Sequence, residues 1–253
     1  MSGYRFADLR GFLLVLLPLL AVASTVAAPM LVQDGQARAV IVLAADASEF
    51  DKQAASELTD AVKRMSGATL AQQIVADAAG AEALVTAGKA GGPLPILLGS
   101  LAGPGLATDL GEKASVRGAF GLVVRPEVIL AGGLKEGTYY AVIEMLEQLG
   151  CRWFMPDPLG EVYPELKTIT VTEQVTVQAP SFPSRWFQMP HRDWQAKVRC
   201  GGEVFAGAHG IKAPPYAKNK QGVYEPAENA EYYGLYKGQR VPRQHCVSNP
   251  KLV

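Results

Sequence analysis

Residues 119–150 read AFGLVVRPEVILAGGLKEGTYYAVIEMLEQLG, and this stretch decides the fold. Two short apolar runs, 119–124 and 128–131, flank Arg125-Pro126-Glu127, the arrangement of two buried strands joined by a tight turn. Gly132-Gly133 then leads into a segment where Ala141, Val142, Met145, Leu146 and Leu149 recur at helical spacing, and Gly150 stands where a helix stops. The period changes from that of a strand to that of a helix within a few residues, which predicts a hairpin followed by a helix over 137–148.

The same alternation extends in both directions. Residues 37–44 (ARAVIVLA) form a short Val- and Ile-rich run that reads as a buried strand. Asp46 and Ser48 are candidate caps for a helix over 50–65. Ala54, Ala55, Leu58, Ala61, Val62 and Met65 make one apolar stripe on it, and Lys52, Glu57, Asp60, Lys63 and Arg64 occupy the other side. Gly67 ends this helix. Residues 70–75 are a second strand candidate, 95–99 (PILLG) a buried strand, and 99–109 a loop or short helix. The Ala- and Gly-rich 77–92 takes no assignment from its pattern. Further strands are expected at 151–154 and 168–177. Strands alternating with two amphipathic helices predict an α/β fold, a small sheet-plus-helices sandwich over 30–178.

Composition changes after Ala179. Pro180, Pro183 and Pro190 fall close together beside Trp186 and Trp194, and periodicity weakens through a stretch rich in Gly, Pro, Lys and Tyr. This places a domain boundary at 178–181. At the other end, Arg5 and Arg10 precede an apolar run over 12–22 (FLLVLLPLLAV), and Val26-Ala27-Ala28 fits a small-x-Ala cleavage site. Residues 1–28 thus read as a secretory signal peptide, with an uncleaved anchor as the alternative. The run is shorter than the span of about 20 residues that a bilayer needs, and no later segment is apolar enough to cross one. An exported protein, periplasmic or extracellular, is expected. Lys plus Arg and Asp plus Glu each total 24 in the 253-residue chain, a balance that argues against a nucleic-acid partner. The three cysteines, Cys151, Cys200 and Cys246, lack zinc-site spacing. They read as unpaired thiols, with Cys200–Cys246 the disulfide to test.

The run from Leu134 to Pro164, LKEGTYYAVIEMLEQLGCRWFMPDPLGEVYP, resembles the non-catalytic N-terminal domain that precedes the barrel in alpha-glucuronidases of glycoside hydrolase family 67 and in family 20 beta-hexosaminidases. The helix over 53–67 followed by Ile96-Leu97-Leu98-Gly99 is similar to the earlier half of that module, so the resemblance covers about 37–177. Beyond the boundary, Ser184-Arg185, Gly207-Ala208-His209, Pro214-Pro215-Tyr216, residues 231–240 (EYYGLYKGQR) and 246–250 (CVSNP) are similar to the opening of the glycosidase-like domain of unknown function 4838. The segment departs from that pattern at Asn229-Ala230, where a His-Pro pair is usual. The resemblance implies a hydrolase acting on glycosides, with 180–253 as the start of an incomplete (β/α)8 barrel. A full barrel takes about 250 residues, so the acidic pair is expected beyond Val253, in a fragment or a truncated product.

Glycoside hydrolysis needs two carboxylates facing each other across the scissile bond, about 5–5.5 Å apart for retention and about 6.5–9.5 Å for inversion. After the boundary Asp193, Glu203, Glu225, Glu228 and Glu231 are available, and none ends a clear strand, so no catalytic residue is assigned. Three residues are expected to contact a carbohydrate substrate. The resemblance implies that Arg185 holds sugar hydroxyls with its planar fork of donors; a structural arginine is the alternative. His209 follows a small apolar stretch, 204–208, and a histidine at a strand end suits a sugar hydroxyl or a structural hydrogen bond. Glu231 completes the set. Trp186 and Trp194 suit sugar stacking or buried packing. His191 and His245 lack partners at metal spacing, so neither metal nor cofactor is expected. Gly132-Gly133 lacks the Gly-x-Gly-x-x-Gly spacing of a phosphate loop. A non-enzymatic, exported carbohydrate-binding or scaffold module is the alternative function.

Overall fold

The computed structural model describes residues 28–186, 191–203 and 233–245. Asp34 and Gly35, both left-handed (φ 50° and 76°), turn the chain between β1 (Met30–Gln33) and β2 (Gln36–Ala37). This is the two-residue hairpin that Asp-Gly favours. Then β3 (Ala39–Ala44) leads to α1 (Glu49–Ser66). Ser48 caps that helix: its side chain accepts from the Asp51 N–H, while the Asp51 carboxylate takes the Ser48 N–H. Gly67 closes the other end in the left-handed conformation. The chain continues through β4 (Ala71–Val75), α2 (Ala78–Lys89), β5 (Leu94–Leu98) and α3 (Gly103–Leu110). The expected hairpin is β6 (Phe120–Arg125) and β7 (Val128–Gly133), and the expected helix is α4 (Gly137–Gln148). Next come β8 (Arg152–Trp153), β9 (Glu161–Val162), β10 (Ile169–Thr170) and β11 (Gln174–Gln178).

Six strands form one sheet in the order β11-β6-β7-β5-β3-β4. Neighbours among β4, β3, β5 and β7 run parallel, and the β7–β6 and β6–β11 pairs are antiparallel. A parallel sheet must be covered on both faces, and it is. One face packs Ile41, Leu43, Ile96, Leu98 and Leu122 against the apolar sides of α1 and α4. The other packs Val42, Leu97, Val123 and Leu130 against Ala81 of α2 and Leu106 and Leu110 of α3. Every residue of β5 is buried, as expected of a central strand with helices on both sides.

The mixed α/β class expected from the sequence is therefore present. Residues 77–92, left open by the pattern, are mostly helix. Residues 168–177, read as one strand, are two, separated by Val171–Glu173 and paired in different sheets. After residue 181 the chain makes β12 (Ser184–Arg185), α5 (Arg192–Lys197) and β13 (Gly201–Gly202), then a hairpin of β14 (Tyr233–Tyr236) and β15 (Gln239–His245). The described residues contain no closed barrel and no helix long and apolar enough to cross a membrane.

Candidate functional site

Polar side chains of the stretch 136–163 face residues 183–186 and 191–203. Gly137 starts α4 hard against the Ala119 carbonyl, where a Cβ would collide with that oxygen. The close approach buries Tyr139 and Tyr140 behind β6. Their hydroxyls point to two partners: Tyr139 donates to Glu57 Oε2 of α1 at 3.2 Å, and Tyr140 donates to the Cys200 carbonyl at 3.0 Å. One turn on, Glu144 and Glu147 both receive the Arg199 guanidinium, at 2.7 and 2.5 Å. Arg199 is left-handed (φ 56°), an unfavourable state for a side chain with a Cβ. It follows α5 as a helix stop, with the Cys200 N–H returning to the Gln195 carbonyl. Its ion pairs with α4 help to offset that strain.

Lys197, the last residue of α5, anchors the same end of that helix to α1. Its Nζ lies 3.1 Å from Glu57 Oε1 and 3.2 Å from Glu161 Oε1, and all three side chains are 20% exposed or less. Arg64 pairs with the second Glu161 oxygen and stacks its guanidinium 3.8 Å from the Tyr163 ring centre. The Trp153 indole donates to the Tyr163 hydroxyl, and the Trp194 indole donates to the Trp153 carbonyl. Burial pushes the Glu57 carboxyl above its ordinary range, partly countered by the charge and hydrogen bond of Lys197 and by Tyr139. Burial works against the Lys197 ammonium too, but Glu57, Tyr163 and Glu161 together hold its pKa above normal. Burial opposes ionisation of Glu161 as well, and bonds from Arg64 and Lys197 outweigh it, leaving that pKa lowered.

At the head of α4, Glu136 takes a forked pair of hydrogen bonds from Arg117. Burial pushes the Glu136 carboxyl up; the Arg117 bonds and charge, and backbone N–H groups of Glu136 and Gly202, bring the net below the carboxylate range. A depressed acid stabilises the fold above its unfolded pKa and loses that contribution as pH falls through its folded pKa. Glu136→Gln is therefore expected to cost about 1 kcal/mol near neutral pH, since Arg117 is half-exposed, and to approach zero cost in acid. Urea midpoints of both proteins across that range check it. Glu57 has the opposite sign, its raised pKa favouring the fold as pH falls, so the comparison needs the variant and not the parent alone.

Of the three residues expected to touch substrate, only Arg185 lies among the described ones; His209 and Glu231 lie outside them, as do Cys246 and residues 1–27. Arg185 pairs with Gly201 across β12 and β13. Its Nε donates to the Arg199 carbonyl at 3.1 Å and its Nη1 to the Phe182 carbonyl at 2.8 Å, with the guanidinium 6.0 Å from the Tyr140 ring centre. Arg185 and Arg199 line a cavity of about 130 Å³ with Tyr140 and Pro180. Trp194 is partly buried and bonded as above, while Trp186 is 44% exposed. Cys151 is buried beside Met65, its thiol pushed up to about 11 by burial, and Cys200 is half-buried. The described residues hold no group of three or more His, Cys, Asp or Glu placed for a metal ion. The sequence reading missed the clamp on α5, whose only local signal is the row of acids Glu144 and Glu147 beside an otherwise apolar helix.

The fold defines the class: an α/β domain whose parallel strands are covered by helices on both faces, carrying a docked segment on its α1–α4 side. No family model matches the chain, and no curated protein matches it at significance. Among solved structures, the chain is similar to a family GH115 4-O-methyl-alpha-glucuronidase with specificity for decorated arabinogalactans, at 18% identity and a TM-score of 0.44. The likeness covers 62% of this chain and spans 19% of that one.

Proposed function

We propose that residues 30–178 are the supporting α/β domain of an exported glycoside hydrolase-like protein acting in carbohydrate metabolism. On this reading the acidic pair is supplied from outside the described residues, in the glycosidase-like domain that 180–253 begins. The observation that carries it is the use made of the stretch that resembles the alpha-glucuronidase module. Tyr139, Tyr140, Glu144, Glu147, Trp153 and Glu161 bind α1 or the segment after the boundary. Side chains committed to holding a neighbouring segment suit a domain that positions another. Export is supported by Arg5, Arg10 and the apolar run over 12–22.

A second reading, an exported carbohydrate-binding module without catalysis, is favoured by one cleft of about 400 Å³. Asp157, Glu161, His191, Asp193, Trp194 and Lys197 line it, a mixture of planar polar groups and an indole that suits a sugar ring. The test uses para-nitrophenyl alpha-glucuronide and para-nitrophenyl N-acetyl-beta-hexosaminide. The chain of residues 29–253 is expected to turn over neither, and the product of the reading frame carried past codon 253 is expected to hydrolyse one. Turnover by residues 29–253 alone would overturn the supporting role. Glycan binding with no turnover in either product would favour the module.

A further inference from the structure

The α1–α4 docking surface leaves a second feature of the fold unused. The chain leaves β3 through α1 to β4 on one side of it, then returns through α2 to β5 on its other side. The winding direction thus reverses between β3 and β5. In open α/β sheets the carboxyl ends of strands part at such a reversal and leave a crevice where ligands bind. A cavity of about 670 Å³ lies there, within the range of small-molecule sites. It is walled by the residues that follow the three parallel strands: Ser48 and Asp51 after β3, Gly99 and Ser100 after β5, Leu134 and Lys135 after β7. Phe50, Leu106, Ala107 and Leu110 supply a mostly apolar floor.

We propose that this cavity binds a small neutral molecule with an apolar body and a hydroxyl-bearing end. The charge inventory selects that chemistry. The N-terminal end of α1 usually draws anions into such crevices, but here its first turn already carries Glu49 and Asp51, and Asp51 takes the cap position of an anion. Asp51 is 6% exposed, and the hydrogen bonds that it accepts from Ser48 at 2.9 and 2.8 Å fall on Oδ2, leaving Oδ1 to accept from a ligand hydroxyl. Glu49 is paired with Lys52 at 2.8 Å and Asp51 shares the cavity wall with Lys135, so the charges balance and select neither an anion nor a cation. Gly99 keeps the carboxylate in place, since it is left-handed (φ 64°) and a Cβ there would collide with Asp51. Gly103 lines the cavity too, and a Cβ added to it meets nothing within 4 Å. A side chain can therefore be added at this lining position without a clash at its Cβ.

The test titrates para-methylbenzyl alcohol into the isotope-labelled protein and follows the amide resonances of Ser48, Ser100 and Lys135. The carboxylate and ammonium isosteres, para-toluate and para-methylbenzylammonium, serve as comparisons. Saturable shifts with the alcohol are expected, weakened about tenfold or more for either ion, a difference of about 1.4 kcal/mol. Gly103→Phe and, independently, Ala107→Met are expected to abolish the shifts while keeping the parent's melting temperature. No saturable shift with the alcohol, tighter binding of either ion, or unchanged binding in both folded variants would overturn the proposal.

Discussion

Lys197→Met is expected to destabilise the protein by about 3 kcal/mol at neutral pH, the scale of a buried ion pair that loses one partner. The reason lies in what the substitution leaves behind. Glu57 keeps the Tyr139 hydroxyl but loses its counter-charge at 3.1 Å, and its carboxylate then shares a largely enclosed space with Glu161. The Glu57 pKa is already raised by burial and rises further without the ammonium. A raised acid regains stability as pH falls through its folded pKa, so the cost should shrink as the solution is made acidic. Lys197→Met combined with Glu57→Gln should recover most of the loss, because the amide needs no counter-charge. Urea unfolding of the single and double variants at neutral pH and in mild acid reads all three effects. A single variant with parental stability at both would show that Lys197 only decorates the surface.

Gly137→Ala is expected to be equally damaging for a different reason. The new Cβ would collide with the Ala119 carbonyl oxygen, and neither the Cβ, fixed on its Cα, nor that backbone oxygen can swing aside. Either α4 moves off β6 or the start of β6 shifts, and each opens the packing around Tyr139, Tyr140 and Phe120. Forced overpacking costs typically about 1–3 kcal/mol, and a clash with backbone belongs at the upper end. For a chain of this size that corresponds to a melting temperature lower by roughly 6–12 °C. Gly67→Ala makes the useful comparison. Gly67 is left-handed (φ 79°) with open space around it, so only the conformational penalty of about 1 kcal/mol applies. Equal losses for the two variants would mean that α4 is not held against β6 as tightly as described.

Much of the α/β core was legible because burial there is periodic. The apolar stripe from Ala54 to Met65 and the stop at Gly67 define α1 to within a few residues, and Ala141 to Leu146 do the same for α4. The Ala- and Gly-rich α2 was not legible. It buries only Ala81, with Leu84 and Val85 partly covered, so no strong stripe exists to be read. Its one sharp signal is Asp77, whose side chain accepts from the Gly80 N–H as a cap. Asp34-Gly35 carried a readable hairpin signal that the apolar pattern of the neighbouring β3 obscured. Residues 168–177 alternate well enough to look continuous, yet Val171–Glu173 carries the chain from one sheet to the other. That break is set by tertiary pairing and has no local signature.

The docking surface was the least legible part. Its bonds join α4 to residues far along the chain, and a carboxylate awaiting a distant lysine looks in sequence like any solvated acid. One or two strands of an incomplete barrel have open edges and cannot close a core, which predicts loose packing or poor order over 192–253. Over 192–202 the structure shows instead a short helix fixed at its C-terminal end, by Lys197 to Glu57 and Glu161 and by Arg199 to Glu144 and Glu147. Weak periodicity there reflects the small size of the apolar contact, chiefly Trp194 and Ala196 against the core. Charge pairing supplies the rest of the attachment.

Amide hydrogen exchange over residues 192–202 of the intact chain tests the central claim most directly. If α4 and α1 hold this segment, the N–H groups of Gln195, Val198 and Cys200, which bond to the His191, Trp194 and Gln195 carbonyls, exchange far more slowly than a free peptide, and Lys197→Met removes that protection while α4 keeps its own. Exchange of these amides at free-peptide rates in the parent protein, beside a protected α4, would contradict the account.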